Sequence, residues 1–336
     1  MREIFITAKF LVLLFSICNA QDHVTNITND EGFHYYPLYI AEKNEVVYLK
    51  MTDSDYYVTG DLWSYNIDKD STAILTTNTE HIKIYDNYLD WSAENNGLIF
   101  STRSSIMMLD LDSNQIQQLV KGADESLDWI FGPKLNESED KIAFWERRDD
   151  KNSHGINYLD IKNQRVFKVK DLLFNPGRGV SFYNPQWGNN DSTIVATFYT
   201  PEDNRTLYAM NIYKETEVQV DQNIYSSFIK IIENYVYYSK FDFTTKELGI
   251  FRYNLGNNVK QLVYRSVDIN AVFDVDSIGN LYFSRNDSTF IFDMNKSTFI
   301  ARGTNPSVIN DKYLIIESWI SKNELLNQLI MLNLSN

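Results

Sequence analysis

Few side chains in this chain combine chemistry-bearing type with ordered spacing. The four histidines, His23, His34, His81 and His154, show neither His-x-His nor HExxH spacing, so the pattern gives no metal site, and no metal or other cofactor is expected. The run Asp110-Leu111-Asp112-Ser113-Asn114 opens like a calcium loop. However, Gln115 stands where such a loop needs glycine, and Lys121 where it needs a closing glutamate. It reads as a strand end and a turn, as does Asp274–Gly279. Two facing carboxylates about 5–10 Å apart would serve glycoside cleavage; with 45 acidic residues in the chain, no pair is singled out. Aromatic and basic residues in charged loops remain: Tyr56, Tyr57, Trp129, Arg147, Arg148, Phe241 and Phe243 are the candidate ligand-binding residues. Exposed aromatics and arginines are the usual anchors of a recognition surface; the competing use of these rings is packing between neighbouring structural units.

The elements that would position them recur. Seven runs rich in β-branched and aromatic residues, Val46–Lys50, Leu98–Thr102, Ile142–Glu146, Ile194–Tyr199, Val236–Lys240, Leu281–Arg285 and Leu314–Trp319, follow one another at about 45 residues, the period of a four-stranded propeller blade. Each is followed by a second run, often ending in Asp or Asn, and six of these are followed by a third. Pro37, Pro133, Pro185 and Pro306 precede their runs by eight or nine residues, which marks an inner strand beginning at proline, where a missing N–H costs no ladder bond. The seventh unit lacks its last strand, and His23–Thr28 has no unit of its own. That segment is expected to complete the last blade and close the ring. The fold class expected is all-β: a seven-bladed propeller of four-stranded antiparallel blades, with six blades as the alternative count.

Residues 1–20 read as a secretory signal peptide, with Arg2 and Lys9 ahead of an apolar core and a small residue, Ala20, before Gln21. The rest, 21–336, is expected to form a single propeller domain, secreted or periplasmic and monomeric. A net charge of −14 argues against nucleic acid and anionic membrane as partners. No second apolar run is long enough to span a bilayer. The one cysteine, Cys18, lies in the leader, so the exported chain rests on its apolar core rather than on disulfides.

With the repeat laid out, the chain resembles the TolB-like and dipeptidyl-peptidase-like β-propellers of the WD40-like PD40 repeat. The match rests on Pro185-Gln186-Trp187 with Ile194–Thr197 and Leu207–Asn211, and on Ile142–Phe144 and Ile106–Asp110. The resemblance implies the propeller fold but not peptidase activity. The peptidases add a hydrolase domain with a Gly-x-Ser-x-Gly elbow, a motif this sequence lacks. Their paired glutamates after an Asp-Trp are replaced by Ile130-Phe131-Gly132 after Asp128-Trp129. Nor is there room between Gln21 and His34 for the extra N-terminal domain of TolB. The longer, more varied loops joining second to third strands and joining blades open on one face of a rigid scaffold, so the expected role is non-catalytic: binding of a protein or cell-surface polymer through the loop-rich face, with a glycan or protein partner. The alternative is a polysaccharide-active enzyme, lyase or hydrolase, with its site in the propeller channel.

Overall fold

The computed structural model describes residues 24–29, 32–51, 60–76, 89–102, 104–122, 128–148, 153–173, 185–188, 191–199, 205–266, 269–321 and 326–334. Residues 1–20, expected to be a signal peptide, lie outside them. The described residues build seven four-stranded antiparallel sheets, a seven-bladed β-propeller. The inner strands are His34–Ile40, Asp90–Ser92, Asp128–Leu135, Gln186–Trp187, Ile224–Ile232, Ile269–Val275 and Thr304–Ile309. The second strands are Glu45–Met51, Gly97–Thr102, Lys141–Arg148, Thr193–Tyr199, Tyr235–Asp242, Leu281–Arg285 and Tyr313–Ser321, which contain the seven recurring runs.

Alternation along the second strands decides the packing. Successive side chains point to opposite faces, and here the two faces belong to different neighbours. In blade 1, Val47 and Leu49 pack against blade 2, while Val46 and Tyr48 pack against blade 7. The result is seven separate apolar clusters, one at each interface between blades. Blade number and register are thus fixed together, since a one-residue slip would turn both faces over at once.

The Asp or Asn that ends the third strand has a local role. Asp110 Oδ1 accepts from the backbone N–H of Asp112 and Ser113 at 2.8 and 3.1 Å, and Asn211 and Asn254 do the same for their turns. These are Asx turns into the outer strand, so the Asp110 segment is a turn. Asp276 likewise accepts from Asn280 N–H at 2.7 Å in the turn around Asp274–Gly279.

Ring closure follows the expected course. Val24–Asn26 pairs antiparallel with Leu326–Asn333 and forms the outermost strand of blade 7. Ile27 is buried, its N–H donates to Leu329 O at 2.9 Å, and Thr28 Oγ1 accepts from Leu329 N–H at 3.0 Å.

Pro185 directly precedes its inner strand, Gln186–Trp187, as expected, but the other three prolines have a different place. Pro37, Pro133 and Pro306 lie within their inner strands, at register shifts between Tyr35 and Leu38, Phe131 and Lys134, and Thr304 and Ser307. A β-bulge leaves a residue unpaired, so proline loses no ladder bond there. The residue before each, Tyr36, Gly132 and Asn305, has φ of 54°, 62° and 51°. The inner strands of blades 5 and 6 bulge at the same level without proline.

On the face where inner strands turn into second strands, neighbouring blades are clasped by carboxylates. Glu139 of blade 3 accepts from Ser92 Oγ and from the N–H of Ala93 and Glu94 in blade 2, at 2.7–3.2 Å. Asp191 of blade 4 accepts from Glu137 and Ser138 of blade 3, and Asp311 of blade 7 from Ser277 of blade 6. All three clasping residues have φ near 50°.

Candidate functional site

Antiparallel order puts the connections between blades, and those from second to third strand, on one face. The candidate residues Trp129, Arg147, Arg148, Phe241 and Phe243 belong to that face; Tyr56 and Tyr57 lie outside the described residues. Trp129 is half-buried against the cluster between blades 3 and 4. Arg148 is held by Glu146, with Nη2 and Nε donating to Oε1 at 2.6 and 2.9 Å. Arg147 lies close enough to His154 to oppose its protonation. These three are therefore engaged in packing and ion pairs within blade 3 and its interface.

Phe241 and Phe243 belong to a different arrangement. Phe243 is 80 % exposed and packs edge-on against Phe241 with centroids 5.0 Å apart; Phe241 in turn meets Tyr225 at 5.7 Å. Tyr225, half exposed, sits in the inner-strand bulge of blade 5, at the channel mouth. Arg205 of blade 4 borders it: its Nη1 donates to Tyr225 O, its Nε donates to Tyr199 Oη, and its guanidinium lies 4.8 Å from the Tyr199 ring centroid. No carboxylate among the described residues pairs with Arg205. Three aromatic faces and a braced guanidinium thus form a platform suited to a flat sugar ring carrying an acid. The sequence reading found two of its five members. Arg205 and Tyr225 escaped notice because nothing local shows that blades 4 and 5 bring them together.

The channel wall is polar but satisfied. Asp90 Oδ1 accepts from Lys134 Nζ at 2.9 Å and its Oδ2 from Leu135 N–H at 2.6 Å. Asp274 accepts from Lys230 Nζ and from Val308 N–H, both at 2.8 Å. Each of these carboxylates ties its inner strand to the next. Asp221, between blades 4 and 5, accepts from Lys240, Lys260 and Tyr238 at 2.8–3.0 Å. Burial pushes its pKa up, but the two lysines and Tyr238, with the N–H of Gln222, hold its carboxyl below the usual range.

Two further buried ionisable groups lie at interfaces. His154 sits between Trp145 and Phe198, with centroids 5.8 Å from each, and burial lowers its pKa to about 4, against the pull of Asp171. It is a neutral imidazole at pH 7. Glu317 is 7 % exposed on the second strand of blade 7, opposite Thr304, the first residue of the inner strand. Burial raises its pKa to about 7, and the hydrogen bond from Asn305 Nδ2 to its Oε2, at 2.8 Å, only partly opposes this. Around it, Trp319 Nε1 donates to Thr304 Oγ1 at 3.3 Å, and Gly303 has φ of 144° with no room for a Cβ beside Ile316 and the Glu317 carbonyl. Across the seam, His34 is fully buried. Its N–H donates to Asn327 Oδ1 at 2.6 Å and Asn327 Nδ2 donates back to His34 O at 2.8 Å. On the opposite face, a cleft of about 210 Å³ opens between blades 4 and 5, lined by residues such as Thr193, Tyr253 and Asn258; it holds none of these groups.

No protein-family model matches the chain. No curated protein matches it either. Among solved structures, it is similar to an oligogalacturonate lyase in complex with manganese, at 12% identity and a TM-score of 0.73, over 93% of each chain. It is also similar to an oligogalacturonate lyase from Vibrio parahaemolyticus, at 12% identity and a TM-score of 0.72, over 93% of this chain and 94% of that one. Dipeptidyl peptidase 4 from Porphyromonas gingivalis matches at 8% identity and a TM-score of 0.57, over 84% of this chain but 48% of its own.

These likenesses correct the expectation of a non-catalytic binding module. That expectation rested on long, aromatic-bearing loops on a rigid scaffold. Two proteins whose names make them lyases share this fold over almost their whole length, so loops on this scaffold do not by themselves favour binding over catalysis. The likeness of fold to the dipeptidyl-peptidase-like propellers stands. The chain is a seven-bladed β-propeller of the kind these proteins share.

Proposed function

We propose that the protein is an exported polysaccharide-active enzyme that cleaves an acidic glycan lying across the loop-face mouth of its channel. One observation carries this reading: Tyr225, Phe241 and Phe243 present stacked aromatic surface at the mouth, and the braced Arg205 beside them has no carboxylate partner among the described residues. In a chain of net charge −14, such a cation is placed for a ligand that brings its own negative charge. A uronic acid residue offers both an apolar ring face to stack and a carboxylate to pair. The lyases of similar fold act, by their names, on oligogalacturonate, an acidic glycan. One of them is a manganese complex. Among the described residues no three His, Cys, Asp or Glu side chains come together as metal donors, and His34 and His154 sit at different interfaces. The donor set does not fit such an ion, and no step here is routed through one.

The test is cleavage. The purified chain without residues 1–20 is incubated with polyuronates of several linkages and with neutral glycans, and new reducing ends are counted. New ends from a polyuronate alone are expected, with Arg205→Ala raising KM at least about tenfold, the scale of one lost charge-assisted hydrogen bond. If no polyuronate is cut, or neutral glycans are cut equally well, the reading is wrong.

A further inference from the structure

The cleft between blades 4 and 5 exists because blade 4 departs from its own repeat. At the seam between blades 7 and 1, Ile309 and Met331 are buried beside Tyr65. The strand registers put Gly188 and Ala209 of blade 4 at the positions of Ile309 and Met331. They put Tyr253 of blade 5 at the position of Tyr65. Two side chains that fill the seam are thus cut back to a hydrogen and a methyl, and a cleft of about 210 Å³ stands open beside Tyr253. Blade 4 alone has glycine at that position. A Cβ on Gly188 would lie 3.3 Å from Leu255 Cδ1 on the opposite wall, so a larger residue there would close the space. Filling it would gain apolar contact, as it does at the seam. A gap kept open against the repeat marks a working site.

The lining carries no charged side chain, in a chain with 45 acidic and 31 basic residues. Val218, Leu255 and the Tyr253 ring make its apolar wall. The side chains of Thr193, Thr216 and Asn234, which also line it, have no hydrogen-bond partner among the described residues. Tyr253 Oη donates to Asn258 Oδ1 at 2.7 Å. Blade 1 builds the same brace with an acid, Tyr65 Oη donating to Asp70 Oδ1 at 2.8 Å. Blade 5 keeps the brace and exchanges the carboxylate for an amide, whose Nδ2 has two hydrogens left to donate. We infer that this cleft is a second carbohydrate site, which takes one neutral sugar ring. Such a ring brings hydroxyls that both donate and accept, and an apolar C–H face. A volume of about 210 Å³ equals about seven waters at about 30 Å³ each, which holds one ring but no length of chain. A uronic acid would bring a carboxylate with no cation in the lining to meet it. The two sites therefore divide ligands by charge, acidic at the loop-face mouth and neutral on the opposite face. This second site goes beyond the cleavage proposed above and does not depend on it.

The experiment titrates the chain without residues 1–20 with glucose, galactose and xylose, with neutral oligosaccharides ending in each, and with galacturonic acid. Binding is read by saturation-transfer NMR and calorimetry. Ala209→Met installs the residue that blade 7 carries, Asn258→Asp restores the acid of blade 1, and Asn234→Ala changes only an exposed residue of the lining. At least one neutral sugar is expected to bind the wild type and Arg205→Ala equally. Ala209→Met should weaken it at least about tenfold, because its longer side chain takes the space. Asn258→Asp and Asn234→Ala should each weaken it about fivefold, the scale of one hydrogen bond; they decide the matter even where Ala209→Met fails to fold. A free sugar binding as tightly as the oligosaccharide supports a single-ring ligand, and binding of the oligosaccharide alone supports a glycan chain end. Absence of neutral-sugar binding at millimolar concentration would overturn the site. So would binding that Arg205→Ala abolishes, binding that Asn258→Asp and Asn234→Ala leave unchanged, or galacturonic acid bound with the same response to these variants.

Discussion

Glu317 and His154 pull the pH dependence of stability in opposite directions. The folded pKa of Glu317 is raised to about 7. The stability it contributes is therefore fully present below its ordinary value near 4.5, and is lost as pH rises toward 7. The folded pKa of His154 is depressed to about 4, so its contribution is present above about 6.5 and lost as pH falls. Between about 4.5 and 6.5 the two slopes oppose each other. Removing the acid should uncover the histidine: Glu317→Gln is expected to be more stable than wild type at pH 8 by on the order of 3 kcal/mol, seen as a higher melting temperature, and to melt at nearly the same temperature at pH 4.5. Thermal melts across that range check it, and equal differences at both ends would contradict it. Neither residue was legible as special in the sequence. Glu317 is one of 45 acidic residues, and only the folded chain shows that it is buried. Phe241 and Phe243 were legible because an aromatic in a charged loop is unusual by itself; Arg205 was not, because its meaning lies in a tyrosine twenty residues away on another blade.

At the scale of the element, the strands were readable because each carries its own period. The β-branched second strands and the Asx-capped third strands announce themselves within eight residues. The inner strands do not, and the reason is physical: their bulges at Tyr36, Gly132 and Asn305 break the two-residue alternation, so proline position was the one visible trace, and it was read as a strand start. The Val24–Asn26 strand tests the closure directly. Deleting residues 21–29 removes three ladder pairs and the buried Ile27, leaving the edge of blade 7 open. A loss of at least about 3 kcal/mol is expected from Ile27 and the exposed ladder together, read as a lower midpoint in urea. An unchanged midpoint would mean that the strand merely rests on the ring.

Across the whole molecule, cohesion is distributed. Seven apolar clusters lie between blades, and carboxylate clasps bind blades 2 to 3, 3 to 4 and 6 to 7. The clasps at Asp191 and Asp311 belong to separate interfaces with no shared partner. Replacing each by alanine should cost roughly 1 kcal/mol, and the double variant should lose the sum to within about 0.5 kcal/mol. A denaturant titration of the three variants decides this; a large excess in the double variant would show that the ring fails as a unit.

The seam between blades 7 and 1 has a kinetic consequence. Thr28 meets Leu329 and His34 meets Asn327 across separations of 301 and 293 residues, whereas the pairs inside every other blade are local. Six blades can assemble as the chain emerges, but the seventh waits for its far end, and closing so long a loop is the slow, entropically expensive event of folding. A chain clipped near either end would therefore have the aromatic platform of blades 4 and 5 built while its ring stayed open.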